Sequence, residues 1–169
     1  MNEPSSPAVD LLHTSACLCT ALRRAARGLS AAYDRTLATS GLTSSQFIML
    51  TRLADNGPIS IKALAASLGI DRTTLSRALG PLLARGLISE TAGEDRRVKW
   101  IALTARGRTA TAHAEAAWHD IQKAVVAAFG ADRATEMLAG LAALAGAADG
   151  LGDRPLSAPR TRPSPAARA

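Results

Sequence analysis

Residues 61–104 combine two short helical patterns with two strand patterns, and this combination strongly limits the possible folds. The segment reads IKALAASLGIDRTTLSRALGPLLARGLISETAGEDRRVKWIALT. Leu64 and Leu68 give the first helix an apolar face that stops at Gly69. Asp71 can then cap a second helix by accepting from its free backbone N–H groups. The segments ISET and RVKWIALT predict two strands around a charged turn, so the order is helix, turn, helix and β-hairpin.

The second predicted helix carries polar donors on one face and leucines on the other. In a helix-turn-helix the second helix enters the major groove, where its first residues reach base edges. A basic hairpin beside it can reach the neighbouring backbone or the minor groove. The pattern therefore predicts a winged helix-turn-helix that binds double-stranded DNA. The candidate major-groove residues are Arg72, Thr73, Thr74, Ser76 and Arg77.

The arginines of this segment have distinct predicted roles. Arg77 is the candidate for guanine, because a guanidinium can pair with two acceptors on that base. Arg72 could instead hold a phosphate. Arg96 and Arg97 lie at the hairpin tip, and Arg97 is the minor-groove candidate because narrow A·T tracts attract guanidinium groups. For each of these residues, phosphate contact or simple solvation is the alternative.

The charge balance supports a polyanionic partner. The chain has 169 residues, a formal net charge of +6 and a pI of about 10.3, and such basicity gives salt-sensitive affinity for any DNA sequence. Two alternatives are a basic protein that coats DNA without sequence preference and a winged helix that binds other proteins. The sequence has no phosphate-binding glycine loop, HExxH or GxSxG motif. We therefore predict neither an enzyme nor a cofactor.

The chain divides into four segments by composition and periodicity. Residues 1–9 resemble a flexible leader, and residues 150–169 form a Pro/Arg/Ala-rich tail predicted to be disordered. Residues 10–39 and 105–149 predict long helices whose apolar faces one small chain cannot bury alone, so together they are a predicted dimerisation region. Residues 40–104 form the predicted DNA-binding domain. The expected fold class is mainly α with a small β-wing, dimerised through its N- and C-terminal helices.

Local signals predict several element boundaries. Thr43 with Gln46 three residues later is a capping-box pattern, and Thr104 is placed to cap a long helix that runs to about Phe129. Residues 59–61 predict a short strand beside the hairpin. Pro81 removes a backbone donor, so the second helix of the helix-turn-helix is expected to kink or end near Leu79.

Residues 95–97 (Asp-Arg-Arg), followed by residues 101–104 (Ile-Ala-Leu-Thr) and a long helix, resemble the MarR family of bacterial transcription regulators. The resemblance extends from about residue 11 to about residue 149. It implies a two-fold homodimer, usually a repressor, that binds a pseudo-palindromic operator with half-sites on the order of 10 bp apart. It also implies that Asp95 pairs with a nearby arginine and fixes the shape of the wing.

The sequence CTALRRAARGLSAAYDRTL, which begins at Cys19, is similar to the organic-hydroperoxide-sensing (OhrR) branch of that family. Cys19 takes the place of its reactive cysteine and Tyr33 that of a tyrosine fourteen residues later, which implies release from DNA on oxidation to sulfenic acid. Arg23 stands where that branch has a second tyrosine, and could stabilise a thiolate one turn away. Cys17, expected in the same helix, would project to nearly the opposite face. An intersubunit disulfide and a small-thiol adduct on Cys19 are therefore two products that the sequence leaves open.

The sequence also allows effectors other than an oxidant. A small lipophilic or phenolic ligand in an interhelical pocket is the alternative, with both cysteines as buried structural residues. His13, Cys17 and Cys19 are an incomplete ligand set, so no metal site is predicted. There is no apolar run long enough for a membrane span and no signal-like N-terminus, and two closely spaced cysteines are no disulfide framework. A cytoplasmic protein is expected.

Overall fold

The computed structural model describes residues 13, 16–93 and 98–151. These residues form six α-helices, one short 3-10 helix and a three-stranded sheet, which confirms the expected mainly α fold with a small β-wing. They divide into two compact units within the fifth helix, after residue 124. In chain order the elements are α1 (Leu18–Leu37), the 3-10 helix (Ala38–Ser40), α2 (Ser44–Asn56), β1 (Ile59–Ser60), α3 (Ile61–Leu68), α4 (Arg72–Ala84), β2 (Ile88–Ala92), β3 (Lys99–Leu103), α5 (Ala105–Phe129) and α6 (Ala131–Leu151).

The start of α2 is the predicted capping box. The Thr43 hydroxyl accepts from the backbone N–H of Gln46, and the Gln46 side chain accepts from the backbone N–H of Thr43, both at 3.2 Å. Two of the free N–H groups at the helix N-terminus are thereby satisfied. The helix then turns Phe47, Leu50 and Leu53 into the core.

A tight turn joins α3 to α4. The Ser60 hydroxyl caps α3 by accepting from the N–H of Ala63 at 3.2 Å. The helix ends at Gly69 in the left-handed conformation (φ 64°), which glycine adopts without steric cost. The N–H of Ile70 then bonds back to the carbonyl of Ala65 at 3.1 Å. The chain is therefore redirected within two residues and α4 begins immediately afterwards.

The sheet has the order β1-β3-β2, and both strand pairs are antiparallel. Ile101 in the central strand pairs with Ile59 on one side and Glu90 on the other, and its side chain is fully buried. Lys99 and Glu90 form an ion pair of 2.7 Å across the hairpin. The predicted first strand is one residue shorter than expected, because Ile61 begins α3.

Thr104 fastens the beginning of α5 to the segment between α4 and β2. Its N–H and its hydroxyl both donate to the carbonyl of Leu87, at 3.1 and 3.0 Å, and the hydroxyl also lies 2.8 Å from the carbonyl of Gly86. The same hydroxyl accepts from the N–H of Gly107 at 3.0 Å, which is the predicted N-cap of α5. These bonds tie α5 directly to the end of the helix-turn-helix.

The core of the first unit is apolar and draws on α1 to α4, the sheet and α5. Removing these side chains from water is the main driving force for folding. No buried polar side chain is present among the residues that the structure describes. The largest fully buried side chains are Leu37, Leu50, Leu53, Leu64, Leu75, Leu79, Leu82 and Ile101.

Helix α1 begins later than predicted. The sequence suggests a start at Asp10, but the first helical residue is Leu18, and Cys17 is the N-cap in an extended conformation (φ −62°, ψ 112°). The apolar spacing of three and four residues in fact begins at Leu18, since Thr14 and Ser15 occupy the preceding equivalent positions in the sequence. Cys17 therefore lies outside the helix, and His13 and Cys17 do not share a helical face.

The prediction that α4 ends near Leu79 because of Pro81 is wrong, since the helix continues to Ala84. Pro81 cannot donate to the carbonyl of Arg77, but that turn of the helix is exposed and water can satisfy the carbonyl. Gly80 has no Cβ to clash with the proline ring, which removes the usual restriction on the preceding residue. Burial of Leu82 then stabilises the last turn.

The second unit contains the end of α5 and all of α6. Gly130 (φ 98°) separates the two helices, as predicted from the sequence. No residue of α6 is buried in the single chain. Met137, Leu138 and Leu141 are exposed despite their apolar side chains.

Candidate nucleic-acid interface

The N-terminus of α4 is capped by Asp71. One carboxylate oxygen accepts from the backbone N–H of Thr74 at 2.9 Å, and the other accepts from the Thr74 hydroxyl at 2.5 Å. These bonds lower the pKa of Asp71 below its ordinary value, because they favour the charged form. The carboxylate therefore stays ionised as the cap, and the Thr74 hydroxyl already donates within the protein.

The five predicted major-groove residues of α4 are all exposed, whereas Leu75 and Leu79 of the same helix are buried. They differ in how far their polar groups are already engaged. The Ser76 hydroxyl donates to the carbonyl of Arg72 at 2.8 Å, so its proton is used within the helix. Within the part of the chain that the structure describes, the side chains of Arg72, Thr73 and Arg77 have no intramolecular partner. These three side chains are therefore available to an external ligand.

A backbone hydrogen bond and the Trp100 side chain form the base of the wing. The N–H of Gly93 donates to the carbonyl of Val98 at 2.8 Å and closes the hairpin. The Trp100 side chain covers Gly93 closely, since a Cβ added there would lie 2.8 Å from the indole nitrogen. The predicted wing residues Asp95, Arg96 and Arg97 lie outside the described residues.

The two cysteines are at the start of α1, and both are exposed in the single chain. Interaction with the hydroxyl and N–H of Thr20 lowers the pKa of the Cys17 thiol below its ordinary value. Cys19 lies in the first turn, and Arg23 is exposed one turn further along. The alternative prediction, that both cysteines are buried structural residues, is therefore wrong for the single chain.

Tyr33 lies at the other end of α1, where its hydroxyl donates to the side-chain oxygen of Gln122 in α5. Partial burial raises the pKa of Tyr33, because the phenolate is poorly solvated there. Fourteen residues of helix separate Tyr33 from Cys19, which corresponds to about 21 Å along the axis. The structure therefore does not bring these two predicted effector residues together within one chain.

A partly open cleft of about 230 Å³ lies beside Tyr33, between α1, α2 and α5. One wall is the Trp118 ring, which stacks on the buried Phe47 with ring centroids 5.9 Å apart. Ile48 contributes an apolar side chain that is 47% exposed. Among these lining residues, the sequence indicates only Tyr33 as a candidate effector-site residue. Trp118 carries no signal in the sequence beyond that of core packing. The cleft is lined by Leu29, Ser30, Tyr33, Ser44, Ile48 and Trp118.

Among the residues that the structure describes, no group of three or more potential metal-ligating side chains occurs. None of their helices has the length and apolar character needed to cross a membrane.

Comparison with known proteins identifies the family. A sequence profile described as MarR family matches residues 40–98, from the end of the 3-10 helix to the start of β3. The structure is also similar to the transcriptional regulator MosR of M. tuberculosis in complex with DNA, with 41% identity and a TM-score of 0.71. That match covers 78% of this chain and 98% of MosR. The chain belongs to the MarR family.

Two other structures extend the comparison of this MarR-family protein. The transcriptional repressor CouR, bound to a 23-mer DNA duplex, is 28% identical, with a TM-score of 0.71 over 82% of this chain and 99% of CouR. BpsR of Bordetella bronchiseptica, whose DNA binding is regulated by 6-hydroxynicotinic acid, is 25% identical, with a TM-score of 0.70 over 79% and 96% of the two chains. A search of curated proteins gave no significant match. The protein is thus a DNA-binding transcriptional regulator of the MarR family and not an enzyme.

Proposed function

We propose that this MarR-family regulator is a cytoplasmic, homodimeric repressor that binds a pseudo-palindromic operator and leaves it when Cys19 is oxidised. The observation that carries DNA recognition is the exposed face of α4. There Arg72, Thr73 and Arg77, whose side chains have no partner among the described residues, follow directly on the cap at Asp71. Arg77 contacts a guanine and Arg72 contacts a phosphate, while Arg96 and Arg97 reach the neighbouring groove.

Exposed apolar side chains support dimerisation. In the single chain, Leu18 and Leu29 of α1 are 58% and 47% exposed, and Leu138 of α6 is 69% exposed. Soluble monomers rarely leave clusters of such side chains in water, and homodimers with two-fold symmetry are the commonest solution. A symmetric dimer presents two copies of α4, which matches an operator made of two half-sites.

The positions of the cysteines support a thiol switch. An organic hydroperoxide transfers one oxygen atom to the Cys19 thiolate, so that the thiol becomes a sulfenate and the hydroperoxide becomes an alcohol. A second thiol can then condense with the sulfenic acid to form a disulfide and release water. The second thiol is that of Cys17, a partner subunit or a small molecule. Cys17 is a candidate because it lies outside α1, so the helical spacing that argued against it does not apply.

The test is binding of the purified protein to DNA from its own upstream intergenic region, measured by fluorescence anisotropy. Wild type and Cys19→Ser are compared in the reduced form and after treatment with cumene hydroperoxide. Loss of binding in oxidised wild type alone supports the proposal. Equal binding in all four samples contradicts the thiol switch. Intact mass and peptide mapping then show which thiol, if any, is joined to Cys19.

A small aromatic effector is a second candidate, favoured by the cleft beside Tyr33. Its apolar walls, with Ser30 and Ser44 as polar residues in the lining, suit a ring with a polar substituent. Related BpsR responds to a ligand of this kind, 6-hydroxynicotinic acid. The reduced protein is titrated with 6-hydroxynicotinic acid and simple phenols, and release of DNA is the readout. If Ile48→Trp, which fills the cleft, responds as wild type does, this candidate is excluded.

A further inference from the structure

The C-terminal end of α4 is tied to the turn between α1 and α2 by one side chain. The guanidinium of Arg85, the C-cap residue of α4, donates to the backbone carbonyl of Gly41 at 2.8 Å. Gly41 ends the 3-10 helix in the left-handed conformation (φ 69°), and a Cβ there would lie 3.5 Å from the second guanidinium nitrogen. The half-buried Arg85 side chain thus lies against this turn.

The same turn is held from the α1 side. A carboxylate oxygen of Asp34, near the end of α1, accepts from the N–H of Ser44 at 2.6 Å. Ser44 is the first residue of α2 and also lines the cleft. Arg85 is therefore a direct link between α4 and the part of the chain where α1, α2 and the cleft meet.

A second attachment exists immediately after Arg85. The carbonyls of Gly86 and Leu87 accept from Thr104, which caps α5. The end of α4 is consequently fixed at two points, to the α1–α2 turn by the Arg85 side chain and to α5 by the backbone and side chain of Thr104. Substitution of Arg85 removes the first attachment and leaves the second in place.

Arg85 is too far from the DNA-facing end of α4 to read bases. Thirteen residues separate it from Arg72, which corresponds to about 20 Å along the helix axis. Its guanidinium is also already engaged by Gly41. A loss of DNA affinity on its removal would therefore have to arise through the orientation of α4.

We infer that Arg85 is a positioning residue for DNA recognition, which holds α4 in the orientation that fits the major groove. The inference rests on the proposed contacts of α4 with DNA. Without the bond to Gly41, α4 samples several orientations relative to α2, and only a fraction of molecules can bind the operator. The apparent dissociation constant rises by the inverse of that fraction. Non-specific binding depends mainly on net charge and is much less sensitive to the orientation of α4.

The experiment compares Arg85→Met with Arg52→Met in the full-length protein. Both variants lose one positive charge and gain the same apolar side chain, but Arg52 is exposed on α2 and makes no side-chain contact of this kind among the described residues. Affinity for the upstream DNA and for an unrelated duplex is measured at several salt concentrations. We expect Arg85→Met to weaken specific binding about tenfold, the scale of one hydrogen bond to a charged group. Its non-specific affinity and salt dependence should equal those of Arg52→Met.

Two results would overturn the inference. Equal specific affinity of the two variants means that the bond to Gly41 does not set the orientation of α4. A salt dependence reduced by about one ion relative to Arg52→Met means that Arg85 contacts a phosphate directly. Thermal unfolding without DNA checks that the variants fold, and Arg85→Leu replaces Arg85→Met, with the same expectation, if the latter does not. Failure of wild type itself to prefer the upstream DNA would instead contradict the proposed function.

Discussion

Gly107 and Leu87 approach each other so closely that a Cβ added to Gly107 would lie 2.0 Å from the Leu87 carbonyl oxygen. The atom in the way is backbone, and it already accepts two hydrogen bonds from Thr104. We therefore predict that Gly107→Ala lowers the free energy of unfolding by about 2–3 kcal/mol, as overpacking at a rigid site does. Urea denaturation followed by circular dichroism measures the change.

Gly28→Ala is the matched control for that substitution. Gly28 lies within α1, and nothing lies within 4 Å of a Cβ added there. Alanine in a helix interior is more stable than glycine by about 0.5–1 kcal/mol, so this variant should gain stability. If both variants lose stability equally, the contact with Leu87 is not the cause.

Arg77→Ala should weaken operator binding by about 1–3 kcal/mol and relax the base preference at one position of each half-site. Its guanidinium has no partner among the described residues, so the substitution removes no hydrogen bond or ion pair within that part of the chain. Ser76→Ala, one residue away, should change affinity by no more than about 0.5 kcal/mol, because that hydroxyl already donates to the Arg72 carbonyl. Anisotropy titrations with single-base operator variants test both. A larger effect at Ser76 than at Arg77 would reverse the proposed roles.

The cap at Asp71 makes a pH-dependent contribution to stability. Because its pKa is lowered in the folded state, this contribution is fully present above about pH 4, where aspartate in the unfolded chain is ionised. It disappears as the pH falls through the lower folded-state value. Asp71→Asn keeps a capping oxygen but should remove this part of the acid dependence, and Asp71→Ala should lower the Tm as well. Thermal unfolding between neutral and acidic pH distinguishes the three proteins.

Tyr33 should ionise at a higher pH than free tyrosine. Burial raises its pKa above the ordinary value of 10.0, so the folded state is favoured below that pH and loses stability as the pH rises through the folded-state value. Tyr33 is the single tyrosine of the chain, so phenolate absorbance reports on it alone. Gln122→Ala should leave Tyr33 less ordered and bring its ionisation closer to the ordinary value. An ionisation at or below 10.0 in wild type would contradict the burial of this hydroxyl.

Local signals in the sequence were sufficient for much of the fold. The capping box at Thr43, the cap at Thr104 and the break at Gly130 depend on neighbouring residues, and all three are present. That α4 continues past Pro81 is not predictable from the proline alone, because the penalty of a proline depends on the exposure of the unpaired carbonyl and on the residue before it. The start of α1 was placed too early, because a helical pattern was extended past its first apolar residue at Leu18.

Contacts between distant parts of the chain could not be predicted. Arg85 and Gly41 are 44 residues apart, and Tyr33 and Gln122 are 89 residues apart. No periodicity or motif in the sequence relates the members of either pair. The cleft has the same origin, since its walls come from three helices that only the folded chain brings together.

The two tryptophans of the chain occupy the two places where this regulator is expected to meet its ligands. Trp100 covers Gly93 at the base of the wing and is 39% exposed, whereas Trp118 forms a wall of the cleft against Phe47. Replacing either one with phenylalanine leaves a single tryptophan, whose fluorescence can be excited separately from that of Tyr33. The protein therefore carries an intrinsic optical probe for each event, so arrival of DNA and occupancy of the cleft can be timed separately in a stopped-flow experiment without any attached dye.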